Sequence, residues 1–107
     1  MILDVETLMK GFMNNPLFTE NELYEGLPKL YSDVEASDPM VYKKLTGTLL
    51  SWTWYLLEGD RETGILMAYV EGEFNEIGSV SISDLKSVGA FIDKEFKPTR
   101  LSNIRGY

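Results

Sequence analysis

The chain contains neither cysteine nor histidine. Without cysteine there are no disulfides, no thiolate nucleophile and no zinc–sulfur centre. Without histidine there is no Ser-His-Asp triad, no HExxH zinc helix and no imidazole acid–base chemistry. Catalysis would have to rest on Asp, Glu, Lys, Tyr or a bound hard cation. No apolar run approaches the ~18 residues needed to cross a bilayer. Met1 to Lys10 carries Asp4 and Glu6 and lacks the basic start of a signal peptide. A cytoplasmic protein without membrane contact is therefore expected. The glycines at 59, 64, 72 and 78 match neither GxxxxGK[ST] nor GxGxxG, so no phosphate loop is expected. EF-hand spacing is absent as well.

What is present fits one small domain. The 107 residues are 44% apolar and 25% charged, enough to build a modest core. The net charge is −7 and unevenly spread. Met1–Leu57 has eight acids against four bases, whereas Glu58–Leu85 has seven acids against Arg61 alone. From Lys86 onward the balance turns basic. An acidic surface opposes phosphate binding, which needs positive charge. It suits simple solubility, a basic partner, or mimicry of a nucleic acid.

Residue patterns predict an α+β fold. Val5, Leu8, Met9 and Phe12 mark one face of a helix over Leu3–Met13, ended by Asn14-Asn15-Pro16. Thr19-Glu20-Asn21-Glu22 reads as a capping box, with Phe18 and Leu23 at hydrophobic-staple spacing, for a helix to about Leu27. Ser32–Pro39 is polar and reads as a loop. Met40–Thr46 reads as a strand, and its adjacent Lys43 and Lys44 suit a sheet edge. Ser51–Glu58 is the clearest strand. Trp52, Trp54 and Leu56 fall on one face and Thr53, Tyr55 and Leu57 on the other, which predicts a central strand covered on both sides. The tryptophan pair reads as core or as a binding platform. The loop Gly59–Gly64, a strand Ile65–Val70, a tight turn at Glu71-Gly72-Glu73 and a strand Glu76–Ile82 complete an antiparallel meander. Gly78 is expected at a bulge or a close backbone approach. A short helix capped by Ser83 and stopped by Gly89 follows, then a strand over Phe91–Phe96 and a frayed basic tail. The sheet is expected to have four to five strands.

Several segments, in order, resemble the "domain of unknown function 2958" family, small proteins of phages, plasmids and integrative elements. They are LFTENELYEGLPKLYS (Leu17–Ser32), DPMVYKKL (Asp38–Leu45), SWTWYLLEGD (Ser51–Asp60), ILMAYVEGEFNEIGSVSISDLKSV (Ile65–Val88) and IDKEFKPTRLS (Ile92–Ser102). On this resemblance residues 17–104 form the family core, and residues 1–16 are an added N-terminal helix. The segment Val88–Ile92 is shorter than the Arg-Gly-Pro-containing loop associated with that position. The resemblance implies a mobile-element setting and brings no catalytic or binding residues.

The functional expectation is a non-enzymatic accessory protein of a phage or mobile element that works by binding another protein. A nucleic-acid-binding host defence factor, of the restriction or CRISPR kind, is the expected partner. The acidic turns would carry the contact, through Glu58, Asp60, Glu62, Glu71, Glu73 and Glu76. No cofactor and no metal are expected, although Asp60 and Glu62, or Glu71, Glu73 and Glu76, could offer oxygen ligands to Mg²⁺ or Ca²⁺. The alternatives are a nucleic-acid-associated module using Lys94, Lys97, Arg100 and Arg105 with an exposed Trp52 or Trp54, and a small-ligand or metal-binding domain.

Overall fold

The computed structural model describes residues 4–32 and 37–105. In chain order the elements are α1 (Val5–Asn14), α2 (Glu20–Tyr24), β1 (Met40–Val41), β2 (Lys43–Thr46), β3 (Thr53–Asp60), β4 (Ile65–Glu71), β5 (Asn75–Ser81), α3 (Ile82–Ser87), β6 (Phe91–Ile92), β7 (Thr99–Arg100) and α4 (Leu101–Arg105). Five strands form an antiparallel sheet in the order β5-β4-β3-β2-β6, and β1 pairs with β7 in a separate two-stranded ribbon. The α+β class and the β3–β4–β5 meander are as the pattern predicts.

The two-sided apolar alternation of β3 places it mid-sheet, with a separate core on each face. Trp54 and Leu56 join Leu45, Leu66 and Ala68 under α2 and α3, which contribute Leu23, Tyr24 and Leu85. On the opposite face Tyr55, Leu57 and Tyr69 meet Val41 and Leu101 from the ribbon and α4. Three layers result: helices, sheet, then ribbon with α4. Leu23, Leu45, Leu56, Leu66 and Leu85 are fully buried. Each such side chain contributes about 1.5–3 kcal/mol by leaving water. Helix α1 is different, because it buries no residue and packs against α3.

Several boundaries differ from expectation. The extra residue that bends the sheet is Leu57, at a register shift between Leu56 and Glu58. Gly78 pairs in unbroken register with Ala68, and nothing lies within 4 Å of where its Cβ would be, so it marks neither a bulge nor a close approach. Met40–Thr46 is broken at Tyr42 into β1 and β2, which pair with different strands. β2 is not an edge, because β6 pairs with Leu45 and Thr46. Lys44 instead sits over the Tyr55 ring, 5.8 Å from its centroid. Helix α3 begins two residues earlier than expected, because Ser81 rather than Ser83 is the cap and accepts from the Asp84 N–H. The strand over Phe91–Phe96 is only two residues long. The basic tail is not frayed up to Arg105, since it forms β7 and α4. Within the expected Ser32–Pro39 loop, residues 33–36 lie outside the described residues.

The capping box is half as expected. The Glu22 N–H donates to Thr19 Oγ1, and the Thr19 hydroxyl donates to the Glu22 carboxylate. Asp4 caps α1 by accepting from the Thr7 N–H at 2.7 Å, which holds its carboxyl below the usual range. No helix among the described residues is long and apolar enough to cross a membrane.

Candidate protein-docking groove

The six acids singled out in the sequence do not form one surface. The β3–β4 turn and the β4–β5 turn lie at opposite ends of β4, whose seven residues span about 20 Å. Glu58 is 8% exposed and works internally. Its Oε1 accepts from the Tyr31 N–H at 3.0 Å, and its Oε2 lies 3.2 Å from Ser32 Oγ. Asp60 folds its own turn, accepting from the Glu62 N–H at 3.0 Å and the Thr63 hydroxyl at 2.9 Å. Glu62 is exposed at that end. Glu71 lies on the ribbon face, opposite Thr53, and accepts from the Tyr55 hydroxyl. Burial and this carboxylate push the Tyr55 phenol up to about 12. Only Glu73 and Glu76 stand exposed together at the β4–β5 hairpin.

Those two acids border a groove of about 510 Å³ on the helix face of the sheet. Its floor is Trp52, Trp54, Val70 and Val80, and Met9, Leu50 and Val88 close its sides. Glu73, Glu76 and Asp84 line it, and no lysine or arginine does. β5 explains the placement. Glu76, Gly78 and Val80 pair with Val70, Ala68 and Leu66, so they share the helix-side face. α3 then turns back over the sheet and brings Asp84 to the same groove.

The β4–β5 hairpin backbone passes close against Trp52. A Cβ on Gly72 would lie 2.6–2.9 Å from three atoms of its indole, so only glycine lets the hairpin backbone pass the ring. The Trp52 and Trp54 rings are 6.4 Å apart and tilted by 46°. Trp54 is buried, and Trp52 is half-buried. Neither stands out as a platform for stacked bases, and together they form the floor. Phe74, at the hairpin tip, is 74% exposed and also lines the groove.

Phe74 and the placement of Asp84 beside Glu73 and Glu76 escaped the sequence reading, whereas Trp52 stands within it as core or binding platform. Phe74 carried a signal, because a large aromatic inside an acidic turn has no core to enter. Asp84 carried none, since its position depends on how α3 returns.

Two other hollows are less suited to one ligand class. The larger, about 620 Å³, is lined by Tyr24, Tyr31, Lys29 and Arg61 beside Asp60 and Glu62, so its charges oppose each other. The smaller, about 360 Å³, likewise mixes Glu22, Glu25 and Asp93 with Lys43 and Lys94. Among the described residues no three carboxylates converge as a cation site. In the C-terminal segment, Arg100 donates to the Asp38 carbonyl, and Arg105 lies over the Tyr69 ring at 5.0 Å. These bases therefore serve internal contacts. No family model matches the chain, and neither a curated protein nor a solved structure is similar to it.

Proposed function

We propose that this protein is a non-enzymatic binding module that docks a basic, partly apolar segment of a protein partner in the groove between α3 and the β4–β5 hairpin. The observation that carries this reading is the lining itself: an aromatic and aliphatic floor, three carboxylates and no cation. Apolar contact supplies affinity in such a site, and the carboxylates select charge and orientation. The acidic contact expected from the sequence is thereby moved. It is carried by Glu73, Glu76 and Asp84, and not by Glu58 or Glu71, whose carboxylates hold other parts of the chain. The narrower form of the reading is an accessory protein of a phage or mobile element that covers the nucleic-acid-binding surface of a host defence protein. That form rests on the family resemblance and on the net charge of −7.

Affinity capture from host lysate, followed by mass spectrometry, tests the reading when wild type is compared with E73K/E76K/D84K and with E62K. A true partner binds wild type and E62K alike and falls at least tenfold with the triple variant, about 1.4 kcal/mol. Equal retention by the triple variant overturns the groove. For the narrower form, the captured protein should lose its nucleic acid as this protein is titrated in.

A further inference from the structure

We propose that the groove takes its partner as an extended strand added to the free edge of β5. This rests on the docking reading above and specifies the shape of the occupant. β5 has seven residues in continuous register with β4 from Asn75 to Ser81, and it ends the sheet. Among the described residues nothing pairs with its outer side, so a row of N–H and C=O groups is left for another chain. Edges are ordinarily protected by lysine, proline, a bulge or shortness. β5 has none of these, and its one charge is Glu76. The opposite edge, β6, is only two residues long.

The groove adjoins this edge. A strand added outside β5 would lie about 4.8 Å away and turn every second side chain toward the helix-side face. There it meets Glu76, Gly78 and Val80. Gly78 leaves open space, with no atom within 4 Å of a Cβ position. An apolar side chain of the incoming strand fits over that gap, next to Val80 and the tryptophan floor. Its neighbours two residues away approach Glu73 and Glu76 at one end and Asp84 at the other, which selects lysine or arginine. On the other face Ile77, 45% exposed, offers a further apolar contact. The occupant is thus an extended segment of a partner protein with alternating basic and apolar residues. A second copy of this chain fits poorly, since each copy carries a net charge of −7 and Glu73 and Glu76 flank the edge.

A displayed library of random 12-residue peptides, selected on wild type and counter-selected on E73K/E76K, tests this directly. Enriched peptides are expected to alternate basic and apolar residues with a period of two and to change Trp fluorescence on binding. The best peptide is then synthesised with N-methyl groups on alternate amides, in both phases. Only one phase should weaken binding, by tenfold or more, because a strand at an edge pairs on one side only. Helical periodicity, or indifference to both N-methyl phases, overturns strand addition and leaves the docking reading standing. Failure to enrich any peptide that separates wild type from E73K/E76K overturns both. If sedimentation shows a dimer that I77K disperses, the edge belongs to a second copy, and the proposal falls.

Discussion

Glu58 shows how an acid can read as surface and serve as structure. Sequence places it at the end of an apolar strand, beside an acidic loop, where exposure is the ordinary outcome. β3 is covered on both faces, and the bulge at Leu57 shifts the alternation so that Glu58 pairs with Met67 and leaves the face of Trp54 and Leu56. Its carboxylate then receives the N–H of Tyr31, a residue held at φ 64 in the left-handed region. That backbone costs a non-glycine residue about 1 kcal/mol or more, so it persists only where something holds it. Replacing Glu58 by Ala removes the acceptor and is expected to cost about 1–2 kcal/mol in chemical denaturation. Glu58→Gln keeps one acceptor oxygen and should lose less. A Glu58→Ala midpoint equal to wild type would show that the clamp contributes nothing. Tyr55 belongs to the same scale: its raised phenol is the product of one buried ring and one carboxylate.

Among elements, legibility followed length and local capping. β3, β4 and β5 run seven or eight residues, β4 as a continuous apolar run between turn residues, and all three are readable in the sequence. Thr19 announced α2 through its cap, and Asp4 could have announced the start of α1 in the same way. The two-residue strands β1, β6 and β7 have no period to read, and they exist because distant segments pair. α4 is the sharpest case, since its cap comes from far upstream. Asp38 accepts from the Ser102 N–H at 2.8 Å and from the Ser102 hydroxyl at 2.7 Å. The hydroxyl bond first, then the backbone bond, holds the Asp38 carboxyl below its ordinary value of 3.8, with Arg100 adding to the effect. As pH falls, the unfolded chain takes up this proton before the folded one does. The stabilisation is therefore present above about pH 3.8 and lost as pH drops through the lower folded value. Asp38→Asn should be less stable than wild type at neutral pH, and the gap should close in acid. A gap that stays constant from neutral pH to about pH 2 would show that the bond to Ser102 is not linked to the proton.

For the whole molecule, the two ends of the chain have opposite roles. α1 announces itself clearly in the sequence, through an apolar stripe and a proline stop, yet it buries no residue. Leu8, Met9 and Phe12 of its stripe are half-buried while Val5 is exposed; the Phe12 ring meets the Gly89 backbone, and Met9 forms one side of the groove. The C-terminal segment reads in the sequence as a frayed basic tail but carries Leu101, 2% exposed, into the ribbon-face core, with Ile104 packed beside it. The basic composition of this segment does not show that Leu101 turns inward. Removing residues 1–16 should therefore leave a cooperatively folded sheet with a modest loss of melting temperature and an altered Trp52 emission, as the groove loses a wall. Removing residues 101–107 should cost about 2–5 kcal/mol for the lost buried leucine alone. In a domain of this size each kcal/mol lowers the melting temperature by roughly 4–8 °C. Thermal melts followed by circular dichroism decide the matter. The N-terminal truncation melting far below the C-terminal one would mean that α1, not the ribbon layer, secures the sheet.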